Sequence, residues 1–500
     1  MWQLQLGTGR TPGSHGSPRR SVLAVGLAVT TLVMLSAGTA AADEQDYTLT
    51  VGVPRIHQGE QSWAGLVDNR GRLGEDQLLN EELIDGIEPG QMNYARFGKS
   101  LLVADLDNDG YDDLVVGAPG YPSRTEVDVP GRVDLLYGSA TGITGARAVS
   151  LETPALPGDE FGAALALSSH IDGDGQDIYL WVGAPGHDVG AAVDAGAVFR
   201  YGFSIGGTAE YRETTTQDSP LVPGTAETGD RFGAVLAGHT TNGIVVGVPN
   251  EDLGTLKDAG TVQRLRTDYL GYWLIEATDW NQDTPGVPGV AEAGDRFGAS
   301  LAWGGSVVGV PGEDVGGISN AGLVQTFGFS SAIPDSLVPS VAYTQNSKGV
   351  PGVAEAGDRF GAAVSGGIFQ CPETISAAVG APGENVGRIK NAGSVTLILE
   401  PALSGLKLSE CPAKVYTQGN RLPGTAEADD QVGAALGVRP GDPELEEDMT
   451  DALLIGIPRE DVGKVHDAGR VVIGTGYRPK GFGHQGGSLP GLRFGSVFPS

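Results

Sequence analysis

Cysteine is nearly absent from this 500-residue chain, which has only Cys371 and Cys411. That excludes a disulfide-dense scaffold. In an oxidising compartment the pair suggests one disulfide, with two unrelated buried thiols as the alternative. Basic charge is also scarce: 32 Lys and Arg stand against 62 Asp and Glu, for a net charge of −30. Such a surface repels nucleic acid, whose phosphates demand a positive footprint. At 19% charged residues the chain is still far from the composition that prevents folding. Catalytic signatures are missing as well. Neither a Gly-x-Ser-x-Gly elbow nor a His-Glu-x-x-His zinc pattern occurs, and the seven histidines are scattered.

Long apolar runs are confined to the start. Arg19 and Arg20 precede an apolar stretch from Val22 to Leu35, followed by "SAGTAAAD". This reads as a secretory signal peptide over residues 1–42, removed near Ala42, and "RRSVL" also allows a twin-arginine route. The run is short for a membrane span, and no later segment reaches that length. The expectation is a secreted, extracellular, monomeric chain over residues 43–500 with no membrane span once mature.

What the chain has in excess is glycine, at 80 positions, and proline, at 30, which favour many turns over long helices. These residues are organised. "FG" recurs at Phe97, Phe161, Phe232, Phe297, Phe360 and Phe494, with "VG" at Val432, spaced by 62 to 72 residues. Each start but the last leads through an apolar segment to "GAP", "GVP" or "GIP", ending at Pro119, Pro185, Pro249, Pro311, Pro382 and Pro458. The seventh ending stands near the N-terminus instead, as "YTLTVGVP" ending at Pro54. A unit split between the two chain ends is what a closed ring requires and an open solenoid does not. Within each unit, short stretches such as "SVVGVPG" and "AGLVQTFGFS" read as strands. The predicted fold class is therefore all-β: a seven-bladed β-propeller of four-stranded blades, the last blade closed by N- and C-terminal strands.

The combination of "FG", "GAP" and the intervening "DLDNDGYDD" resembles the FG-GAP repeat of integrin α-subunit propellers and of many secreted bacterial proteins. The resemblance covers Tyr47 to Ser500. It implies calcium between the first and second strands of some blades on one face, and partner binding by loops on the other.

In "DLDNDGYDD", Asp105, Asp107, Asp109 and Asp113 occupy positions 1, 3, 5 and 9, with Gly110 at position 6 and Tyr111 at 7. Calcium takes six to eight hard oxygens, and a tight loop turns alternate acids inward while Tyr111 offers a main-chain carbonyl. The expected metal ligands are Asp105, Asp107, Asp109, Tyr111 and Asp113, and the expected cofactor is Ca2+. The second unit keeps Asp172 and Asp174 but has His170 and Ile178 at positions 1 and 9, a weaker set.

Units two to six share a second pattern. Asp159, Asp230, Asp295, Asp358 and Asp430 stand two residues before the "FG" or "VG"; Asp188, Asp252, Asp314, Asn385 and Asp461 stand three after the proline; Asp194, Asp258, Asn320, Asn391 and Asp467 follow six later. Such side chains either cap their own backbone turns or form a crescent of carboxylates for cations or a basic partner. Two functions follow as expectations: a binding or adhesion module for an extracellular protein or glycan, or an extracellular hydrolase or lyase with a metal-assisted site in the acidic loops. The absence of catalytic motifs favours the binder.

Overall fold

The computed structural model describes residues 96–120, 131–139, 143 and 147–474 apart from internal stretches at 172–175, 205, 239–242, 269–272, 330–336, 370–375, 400–411 and 440–450, together with strands between 49 and 79 and at 480–482. The signal peptide, both cysteines, Asp172, Asp174 and the closing strand expected at Phe494 lie outside them.

The fold is an all-β propeller. The first blade is built from Ser100–Ala104, Asp113–Ala118, Arg132–Leu136 and Ala148–Ser150, paired in chain order. Five further blades repeat the plan, their first strands being Ala164–Ile171, Val235–Gly238, Ser300–Ala302, Ala363–Gly367 and Ala435–Arg439. The fifth adds a two-residue strand, Arg421–Leu422, parallel to its fourth. All other pairings within these blades are antiparallel. First strands of consecutive blades contact one another from the first blade to the sixth, so these strands line the axis.

Among the described residues six four-stranded blades are complete, where the sequence predicts seven. The seventh unit is split between the two chain ends, and only its N-terminal share lies among the described residues. The N-terminal share of that unit forms a three-stranded sheet of Leu49–Val53, Leu66–Arg70 and Gln77–Leu79, beside a separate hairpin of Ile56–Gln58 and Gln61–Trp63.

The core lies between blades. One apolar cluster joins Trp181 and Val198 of the second blade to Phe232, Leu236 and Val246 of the third, and others repeat this at the remaining seams. Phe161, Phe232, Phe297 and Phe360 are completely buried there as packing residues, and Phe97 is buried within the first blade. The glycines explain the other half of the motif. A Cβ on Gly117, Gly183, Gly247, Gly309 or Gly380, the glycine of the "GAP"-type ending in each of the first five blades, would overlap the carbonyl oxygen of Gly162, Gly233, Gly298, Gly361 or Gly433, the glycine of the next blade's start. Close backbone approach leaves no room for a side chain.

Candidate metal centre and the capped acidic loops

The loop Asp105–Asp113 connects the first two strands of the first blade, where an antiparallel pair must reverse direction. Asn108 and Gly110 take positive φ of 58° and 87°, conformations that Asn and Gly adopt readily. The reversal brings carboxylate oxygens of Asp105, Asp107 and Asp109 within 4.8 Å of one another. Backbone amides hold them: Asp109 N–H donates to Asp105 Oδ1 at 3.1 Å, Gly110 N–H to Asp105 Oδ2 at 2.9 Å, and Tyr111 N–H to Asp109 Oδ1 at 3.0 Å. Partial burial, with Asp109 and Asp107 close by, pushes the Asp105 carboxyl above its usual range.

Asp113 stands apart from this triad. It is fully buried, and its two oxygens accept N–H bonds from Leu106 at 2.8 Å and Gly138 at 2.7 Å. It thereby ties the loop to the second residue after the third strand, and burial pushes its carboxyl up to about 7. Tyr111 is at the exposed margin of the loop.

A cationic group already attends the triad. Arg147, 40 residues downstream of Asp107, bonds Asp107 Oδ2 through Nη2, and through Nη1 it donates to Asp109 Oδ2 at 3.1 Å and the Gly138 carbonyl at 2.7 Å. Its guanidinium also lies over the Tyr137 ring, 5.3 Å from the centroid. Tyr137 donates its hydroxyl to the Gly207 carbonyl of the second blade, and a Cβ on Gly207 would be 2.6 Å from that of Asp107. The loop therefore sits at the seam of the first two blades. Three converging carboxylates fit a hard cation held by oxygen, and Arg147 engages two of them as a competing positive charge.

The second acidic pattern resolves into capping. Asp188, Asp252, Asp314, Asn385 and Asp461 each accept, through Oδ1, the N–H of Asp194, Asp258, Asn320, Asn391 or Asp467, at 2.8 to 3.1 Å. The five receiving residues have φ of 50° to 55°, which Asp and Asn tolerate better than other side chains. Their carbonyls then meet the next blade. Arg231 N–H donates to Asp194 O at 3.1 Å and Phe232 N–H to Ala195 O at 2.8 Å, and the same pair of bonds recurs at the three following seams. Asp159, Asp230, Asp295, Asp358 and Asp430 each accept an N–H from the residue three before them. Of the arginines preceding "FG", Arg231 pairs with Glu160 at 2.7 Å, and Arg96 pairs with the same carboxylate from the other side.

Residues 97–136 match the FG-GAP repeat family model. Human phosphatidylinositol-glycan-specific phospholipase D is 39% identical over 116 residues, 22% of this chain and 13% of that protein. Mouse integrin alpha-3 is 32% identical over 193 residues, 38% of this chain and 16% of that protein. The match thus spans well under a fifth of the length of these relatives. Among solved structures, a periplasmic gluconolactonase of Pseudomonas aeruginosa aligns over 90% of this chain and 99% of its own with 14% identity and a TM-score of 0.38. Blades in chain order, seams made by the "FG" and "GAP" glycines, and the family match carry one conclusion: the chain is a β-propeller that contains an FG-GAP repeat at residues 97–136 and is similar, over part of its length, to integrin α subunits.

Proposed function

We propose that the chain is an exported, calcium-stabilised binding module that recognises an extracellular protein or glycan through loops on the propeller face opposite the metal loop. One observation carries this reading: five loops of identical frame present different exposed tips. Each is closed by a bridge, Val189 to Ala192, Leu253 to Leu256, Val315 to Ile318, Val386 to Ile389 and Val462 to Val465, and each is capped as described above. The exposed tip residues differ: Ala191 and Val193, Thr255 and Lys257, Gly317 and Ser319, Arg388 and Lys390, Lys464 and His466. A constant frame with variable tips suits recognition by positioned loops on a rigid scaffold.

Calcium would be held by Asp105, Asp107 and Asp109, with the Tyr111 carbonyl and the free lone pairs of Asp113 completing the oxygen set. Its contribution would be to stiffen the seam between the first two blades. The residues of the loop do no chemistry in this reading; they hold the ion and brace Tyr137 against the second blade.

The test uses arrays of extracellular glycans and matrix proteins in calcium buffer. Wild-type protein should be retained, and R388A/K390A/K464A, unchanged in melting temperature, should lose about tenfold in affinity, roughly 1.4 kcal/mol. Retention that ignores the tip changes would refute the reading.

A further inference from the structure

Blades three to six each carry an acid pair outside the metal loop: a buried aspartate that also caps its own turn, and a glutamate that is half-buried in blades three to five and buried in the sixth. Glu251, Glu313, Glu384 and Glu460 follow the "GVP", "GAP" and "GIP" endings by two residues and sit beside Asp230, Asp295, Asp358 and Asp430 respectively, close enough for one member of each pair to raise the other's proton affinity. A glutamine from the preceding blade reaches each glutamate. Gln217 Nε2 donates to Glu251 Oε2 at 2.6 Å, Gln282 to Glu313 at 2.5 Å and Gln418 to Glu460 at 2.5 Å, and Gln345 bonds Glu384 in the same way.

These glutamines are 1% to 3% exposed, and the amide oxygen of every one lacks a hydrogen-bond partner. In the third blade the Gln263 amide oxygen is unpartnered too, and a Cβ on Gly224 would find Gln217 Nε2 at 3.3 Å, Gln263 Nε2 at 3.7 Å and Glu251 Oε1 at 3.8 Å. An amide oxygen buried without a partner is costly. Each acid pair therefore has beside it a buried glutamine whose Nε2 is spent on the glutamate and whose amide oxygen is left without a partner.

The molecule contains its own control. In the sixth blade the Arg470 guanidinium lies 2.7 Å from Glu460 Oε1, and a Cβ on Gly424, the counterpart of Gly224, would be 3.0 Å from Arg470 Nη1. At Arg470's position the third, fourth and fifth blades have Thr261, Leu323 and Ser394. In the second blade the glutamate is replaced by His187, whose Nδ1 lies 2.8 Å from Asp159 Oδ2. Arg470 thus neutralises Glu460 while the Gln418 amide oxygen stays unpartnered, and in three blades the chain supplies no basic group at that position.

The geometry points to three further cation sites, at Asp230–Glu251–Gln217, Asp295–Glu313–Gln282 and Asp358–Glu384–Gln345, each taking a hard divalent cation such as calcium between two blades. Two carboxylates match a double charge, and an all-oxygen donor set with an amide carbonyl matches calcium better than a softer metal.

The test counts calcium bound to the full-length, metal-stripped chain by equilibrium dialysis with calcium as the only metal. Wild type should bind about four ions, one at the loop and three at the seams, on this donor count. E251Q/E313Q/E384Q should retain about one, and D109A about three, so loss of the loop ion and loss of the seam ions are read separately. Ser394→Arg, which copies Arg470 into the fifth blade, should remove one ion while leaving the melting temperature in chelator unchanged or higher. Calcium binding equal to wild type in the triple glutamine variant, with its melt showing a folded protein, would overturn the proposal. So would a wild-type count of one.

Discussion

A Cβ on Gly309 would overlap the carbonyl oxygen of Gly361, so the fourth and fifth blades meet through bare backbone. This contact recurs at every seam among the six complete blades and makes "FG" and "GAP" two halves of one joint. Gly309→Ala should therefore act as overpacking at a rigid contact, destabilising by about 1–3 kcal/mol or more. Thermal unfolding reads the effect, and a variant melting with wild type would show that the seam yields.

The caps give a second expectation. Asp314 holds the Asn320 N–H at 2.8 Å and so orients the segment that pairs with Arg359 and Phe360. Asp314→Ala should cost about 1 kcal/mol, the worth of one side-chain cap. Asp314→Asn should restore most of it, because the fifth blade already uses Asn385 in that role. Chemical denaturation of the three proteins compares them directly.

Arg147 competes for the carboxylates that would hold calcium, since it bonds both Asp107 and Asp109. Arg147→Met should strengthen calcium binding at the loop several-fold by removing a like charge. It should also loosen the loop in chelator. Calcium titration with a local readout from Tyr137 checks this, and weaker binding in the variant would show that Arg147 assists the ion.

Stability without divalent cations should fall as pH rises through the range where the seam acids ionise. Burial pushes Asp295, Glu384 and Asp430 up to about 7 and Asp358 up to about 6. A carboxyl whose proton is held more tightly in the folded state favours folding where it is protonated, and this advantage is lost between its unfolded value near 4 and its folded value. The groups facing these pairs, Glu292, Asp314, Glu355, Glu427 and Asp461, are acids and reinforce the trend, with Arg470 opposing it at the sixth blade alone. Melting temperature in chelator should thus decline from pH 5 to 7, and calcium should flatten the slope. A rise over that interval would contradict the account.

Much of this was legible in the sequence because it is local and repeated. The "FG" and "GAP" spacing gave the blades, and "DLDNDGYDD" marked the acidic triad. The blade count was less legible, because a split motif reads as a whole unit while its described share forms a three-stranded sheet. Glu251, Glu313, Glu384 and Glu460 escaped notice beside Asp252, Asp314, Asn385 and Asp461: of two adjacent polar residues in a loop, only the packed structure shows which turns inward. A signal was there, since Gln217, Gln282 and Gln345 each precede the paired aspartate by 13 residues. Arg147 had none, because its approach to Asp107 depends on how the third and fourth strands of the first blade fold back.

The central claim, a calcium-braced propeller loop, is tested most directly by hydrogen exchange at the amides of residues 105–113 with and without calcium. Calcium should slow exchange there about tenfold or more in the wild-type protein, about 1.4 kcal/mol of local protection, and leave Asp109→Ala unaffected. Exchange in wild type that calcium does not change would contradict it.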